Sequence, residues 1–117
     1  MIEEFVSRGF ALRNASHLAH WATGSYAEHV ALGDFYDGLI DGIDGIIEAY
    51  QGCFGKIGNV PSQPFKKDGI LDQIVMMANW LATNRDKIAK GNQILENKID
   101  ELGGLFASTV YKLRFLK

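Results

Sequence analysis

Five carboxylates fall on one line of a helix-length stretch. Asp34, Asp37, Asp41, Asp44 and Glu48 are spaced 3, 4, 3 and 4 residues apart, the intervals that bring side chains onto one helix face. No Lys or Arg occurs between Arg13 and Lys56, and all three histidines, His17, His20 and His29, lie at or just before the start of the same stretch. Aligned carboxylates without counter-charges repel one another, and a bound cation is the simplest compensation. The pattern therefore predicts a metal site. An acidic stripe is also the ordinary dress of a solvated helix. The convergence of every histidine on the same helix pair is what favours the metal reading.

The elements that must position these residues read as helices. Segment one runs from about Ile2 to Trp21, with Phe5, Phe10, Leu12 and Leu18 as apolar positions. Segment two runs from about Ser25 to Tyr50, with an apolar rhythm of Leu32, Tyr36, Leu39, Ile43, Ile47 and Tyr50. Segment three begins near Asp68, a candidate N-cap, and ends before Gly91, a candidate C-cap. Segment four starts near Asn92 and carries Leu95, Ile99, Leu102, Phe106, Val110 and Leu113. Phe5, Phe10, Trp80 and Phe106 are expected to serve packing alone. Both prolines, Pro61 and Pro64, sit in one glycine-bearing loop over about residues 52–68. Extended at roughly 3.3 Å per residue, that loop reaches about 56 Å. Segment two, at about 1.5 Å per residue, is roughly 40 Å long. The loop can therefore cross the bundle end to end, while the short joins elsewhere make neighbours antiparallel. Residues 1–117 are expected to form one all-α domain, a four-helix bundle with one long crossover between helices two and three, which is the ferritin-like arrangement.

Composition narrows the function classes. The 117 residues suffice for one core, and a net charge of -2 disfavours nucleic-acid phosphates as a partner. Cys53 is the single cysteine, so no internal disulfide forms. The N-terminal residues lack the basic-then-apolar order of a signal peptide, and no apolar run is long enough to span a membrane. A cytoplasmic protein is expected. P-loop, dinucleotide and nucleophile-elbow motifs are absent.

At 100° per residue, the acidic stripe of segment two lies about 140° from its apolar stripe. A third face holds Ala31, Gly38, Gly42, Gly45, Ala49 and Gly52. A glycine inside a helix costs about 1 kcal/mol relative to Ala, so these glycines predict close approach by another helix. If that helix belongs to a second subunit, the carboxylates line a subunit interface.

Ala19-His20-Trp21, then Glu28-His29, then Leu39-Ile40-Asp41-Gly42-Ile43-Asp44-Gly45-Ile46-Ile47-Glu48 resembles the Dps family, the mini-ferritins. That family has Ala-His-Trp late in helix one, a second His at the start of helix two, and D-x-x-x-E fifteen residues after it. Here His29 to Asp44 is fifteen residues and Asp44 to Glu48 is four. The resemblance covers roughly residues 10–52. It implies that His20 and His29 of one chain and Asp44 and Glu48 of a two-fold partner bind iron (Fe²⁺/Fe³⁺), or another divalent metal, together. His17, Asp34 and Asp41 are additional candidate ligands. It further implies a homo-oligomer, a dimer at least, with a dodecameric cage as the larger alternative, and ferroxidase activity. The chain differs from the family in a shorter join between His20 and His29, in Gly33 where an Asp is usual, and in lacking a Lys-rich N-terminal tail. The competing reading is a non-enzymatic assembly protein that keeps the ferritin-like fold without the chemistry. A metal-dependent bundle of the DinB type needs an H-x-x-x-H pair on a later helix, and no His follows His29.

Overall fold

A computed structural model describes residues 1–117. Four helices make up the chain: α1 (Ile2–Ala22), α2 (Tyr26–Phe54), α3 (Ile70–Ala89) and α4 (Gln93–Phe115). No strand is present. At about 1.5 Å per residue α2 is roughly 43 Å long, which matches the 44 Å long axis of the molecule.

Local chemistry sets several helix ends. Ser25 caps α2, its Oγ accepting from the Glu28 N–H at 3.2 Å. Asn92 caps α4 in the same way, through the Leu95 N–H at 3.1 Å. Such caps satisfy donors that have no partner inside the helix. The expected Asp68 cap of α3 is not used. Asp68 pairs with Lys67 at 3.6 Å, and the N-cap is Gly69, held in the left-handed region at φ 65°. Left-handed backbone extends to Lys90 and Gly91 at the other end, with the C-cap at Lys90. Helix α2 runs beyond Tyr50 to Phe54.

The helices pack in a ring in which α1 touches α2 and α3, and α4 touches α2 and α3. Arg8 on α1 stacks over Trp80 on α3, and Arg85 on α3 binds Asp100 on α4. Every neighbouring pair runs antiparallel. The connection over residues 55–69 follows α1 along its length. The Gly58 N–H donates to Glu3 Oε2 at 2.8 Å, and Ser7 Oγ donates to the Pro61 carbonyl at 2.7 Å. Phe65 then lies beside Ala11, and Lys67 to Gly69 lie beside Ala19 and Ala22. The loop thus carries the chain from the C-terminal end of α2 to the other end of the bundle, as its length predicts.

Two parts of the expected core are corrected. The buried stripe of α2 is Ala31, Leu32, Phe35, Leu39, Ile43, Ile46 and Tyr50. Phe35 and Ile46 take the places expected of Tyr36 and Ile47, a rotation of roughly 45° toward the small-residue face. The glycines of that face explain the rotation. A Cβ on Gly38 would lie 2.9 Å from Leu105 Cδ2, and one on Gly42 would lie 2.8 Å from Leu102 Cδ1. Helix α4 of the same chain therefore occupies the face expected to meet a partner. On α1, Phe10 is 45% exposed. The inward side of that helix includes Ser7, Gly9, Ala15, Ser16 and Ala19, small residues that let its neighbours close in and turn Phe10 and Leu18 outward. Phe5 and Phe106 are fully buried, as expected.

Candidate functional site

The turn over residues 23–25 folds the last turn of α1 against the first turn of α2. Thr23 Oγ1 donates to Glu28 Oε2 at 2.8 Å and accepts from the Ser25 N–H at 3.1 Å. This locks the turn and sets His20 beside His29. The two imidazoles stack with centroids 3.7 Å apart and planes within 15°. His29 Nδ1 bonds the His20 carbonyl at 2.8 Å, and His20 Nδ1 bonds the His29 carbonyl. A carbonyl only accepts, so both Nδ1 atoms carry the proton. In the neutral imidazoles the lone pair then resides on Nε2, the tautomer that suits a metal ligand.

Gly33 leaves room for this arrangement. A Cβ there would lie 3.0 Å from Cε1 and 3.3 Å from Nδ1 of His20. The imidazole of His20 thus occupies the space next to the α2 backbone at the position where the family resemblance expects an Asp.

His17 belongs to a neighbouring aromatic stack. Its ring lies parallel to Tyr36 at 4.2 Å and tilts against Trp21 at 4.4 Å, and Arg13 sits 5.1 Å over the other ring of that stack, Tyr36. Burial, then the positive field of Arg13, pushes the His17 pKa below its ordinary value. His17 reaches His20 edge-on at 6.0 Å between centroids.

Asp34, Asp37, Asp41, Asp44 and Glu48 are all exposed, and none forms an ion pair within the chain. They point outward from the corner of the bundle that α2 occupies, as the helical wheel predicts. Fifteen residues of helix separate His29 from Asp44, about 22 Å at 1.5 Å per residue. One chain therefore brings the imidazoles together and holds the Asp44–Glu48 pair far from them. No group of three or more His, Cys, Asp and Glu side chains within the chain is arranged to hold a metal ion.

A cluster that sequence reasoning missed joins α3 to α4. Arg85 donates through Nε and Nη2 to both oxygens of Asp100, at 2.7 and 2.8 Å, and through Nη1 to Glu96 at 3.0 Å. The guanidinium holds the Asp100 carboxyl below its ordinary pKa. The four-residue interval from Glu96 to Asp100 was the available signal, since it places both acceptors on one face of α4. The fork is structural, fixing the register of the α3–α4 hairpin.

Four antiparallel helices linked by one end-to-end connection, with an exposed acidic edge and a histidine clasp, define a helical-bundle protein. Residues 20–113 match a family described as a family of unknown function, DUF5856, and the chain belongs to that family. The match begins at His20 and includes all four helices in whole or part. The chain is also similar to an "uncharacterized 14.6 kDa protein in mobD-ri intergenic region" of Enterobacteria phage T4, with 29% identity over 111 residues, 95% of this chain and 86% of the phage protein. No solved structure matches the chain. No helix is long and apolar enough to cross a membrane.

Proposed function

We propose that this protein is a ferritin-like bundle that binds Fe²⁺, or another divalent metal, between two copies of the chain and oxidises it. His20 and His29 of one copy would act with Asp44 and Glu48 of the other. The observation that carries this reading is the reciprocal Nδ1-to-carbonyl bonding of the histidine pair, which commits both Nδ1 protons to the backbone and leaves both Nε2 lone pairs for a metal. The carboxylates supply hard oxygen donors that suit the ferric product, and imidazole suits the ferrous ion. The separation of about 22 Å within one chain requires a two-fold partner, on which an antiparallel α2 would carry Asp44 toward His29. Each Fe²⁺ would give up one electron to peroxide or dioxygen, and the protein would sequester the product in a homo-oligomer. The decisive experiment is an anaerobic Fe²⁺ titration with bound metal counted per dimer, followed by the same titration on the double variant D44N/E48Q. Saturable binding that the double variant lacks supports the reading, and identical curves refute it.

The second reading is an assembly protein without redox chemistry, and Gly33 favours it. The ring of His20 fills the place of the carboxylate that the resemblance leads one to expect, so the histidines serve the α1–α2 turn. On this reading the protein oligomerises with no saturable Fe²⁺ binding.

A further inference from the structure

The outward face of α4 has no partner in the chain and lacks the charges usual for a solvated helix. Residues 102–111, Leu-Gly-Gly-Leu-Phe-Ala-Ser-Thr-Val-Tyr, include no charged residue. Of these, Gly104, Ala107, Ser108 and Tyr111 are exposed. The glycines sit inside the helix, where each is unfavourable relative to Ala. On α2, Gly38 and Gly42 are explained by the leucines of α4 that press on them. Gly103 and Gly104 have no such explanation, since a Cβ at either would meet nothing within 4 Å.

Charge flanks the neutral stretch with opposite signs. Glu101 precedes it, and Lys112 and Arg114 follow it. None of the three has an ion-pair partner within the chain. An acidic end, a smooth neutral centre and a basic end form a pattern that complements itself when reversed. In a parallel pairing Glu101 would meet its own copy and Lys112 its own, like charge against like. In an antiparallel pairing about a two-fold axis near residue 106, Glu101 approaches the partner's Lys112, and the partner's Glu101 approaches Lys112.

We infer that the outward face of α4 is a docking surface for a second copy of this chain, packed antiparallel about a two-fold axis, with Gly104 permitting close approach at the centre and Glu101–Lys112 pairs closing both ends. This surface is distinct from the histidine clasp at the α1–α2 turn, Glu101 at its edge sharing a groove with Asp41 of the acidic stripe, and the inference does not depend on metal binding.

A charge-swap series followed by sedimentation equilibrium in chelator tests it. Each of E101K and K112E places like charges at both ends of a symmetric interface and should weaken dimerisation on the order of tenfold. The double variant E101K/K112E restores opposite charges at both ends and should return to within about threefold of wild type by the same reckoning. Gly104→Leu should abolish the dimer while leaving the melting temperature of the monomer unchanged or higher, because the site is open and leucine is a better helix former. Restoration by the double variant is the outcome that only antiparallel self-pairing produces. A wild type that stays monomeric at high micromolar concentration, or an assembly whose mass ignores E101K, K112E and Gly104→Leu alike, overturns the inference. In the latter case a face other than that of α4 holds the copies together, and the metal reading stands or falls by its own titration.

Discussion

His20 and His29 each bond through Nδ1 to the backbone carbonyl of the other, with the two rings stacked between the helices they join. The His20 carbonyl lies in the last turn of α1, where carbonyls run out of partners within the helix. The pair therefore stabilises the α1–α2 turn whether or not a metal binds. His29→Ala, which leaves the helix-end carbonyl of His20 short of a donor, should destabilise the metal-free protein by about 1–3 kcal/mol, and His20→Ala, which removes a bond to a carbonyl inside α2, by about 1 kcal/mol. Urea unfolding in the presence of chelator measures this. Midpoints equal to wild type would remove the structural role and leave metal binding as the only reason for the pair.

The glycines of α2 should separate by position. Gly42→Leu forces a side chain into the space of Leu102, so it should lower the stability of the chain itself by about 1–3 kcal/mol, the usual cost of overpacking. At Gly45 the nearest atom to an added Cβ is Lys98 Nζ at 3.8 Å, an ordinary contact. Gly45→Ala should therefore stabilise, by up to about 1 kcal/mol of helix propensity. Thermal melts of the two variants at equal concentration decide the matter. The same shift in both would mean that α4 does not press on α2 at Gly42.

The loop along α1 should loosen in acid. The Gly58 N–H bonded to Glu3 is the leading reason that this carboxyl titrates below its ordinary value of 4.5. A carboxyl with a lowered folded-state pKa contributes stability that is fully present above its unfolded pKa and is lost as pH falls through the folded value. The stability difference between wild type and Glu3→Gln should therefore be largest above about pH 4.5, where the wild-type carboxylate is charged in both states, and should shrink as pH falls below it. Denaturant midpoints measured from pH 7 to pH 3 give the comparison. A difference that stays constant across that range would show that Glu3 is not tied to Gly58 in solution.

Much of this architecture was legible in the residues. Ser25 and Asn92 announce helix starts because a short hydroxyl or amide side chain can reach the free N–H groups of the first turn. Pro61 and Pro64 mark the loop, and its length alone permits an end-to-end crossing. The outward aim of the acidic stripe follows from helical geometry. The identity of the helix packed on Gly38 and Gly42 was not legible. A run of small residues states that something comes close and leaves open whether it belongs to the same chain. Phe10 misled for the converse reason: on α1 small residues share the inward side with Phe5 and Leu12, so size and hydrophobicity marked that side only in part. Nor did the spacing of His20 and His29 reveal the reciprocal carbonyl bonds, which depend on the tightness of the turn and on the missing side chain at Gly33.

The connection along α1 is the only covalent link between two helical hairpins, α1–α2 and α3–α4. Most of its residues lie open to solvent, while its ends are moored, one at Glu3 and Ser7 and the other beside Ala19 and Ala22. A protease cut between Ser62 and Lys66 would divide the protein into two complementary halves of nearly equal size. Each half leaves apolar surface that the other covers, because α2 packs on α4 and α1 on α3 as well as on its own hairpin partner. The cleaved halves should co-elute as one particle and separate only in denaturant. The chain is in effect a pair of hairpins that recognise each other, with the loop raising their local concentration.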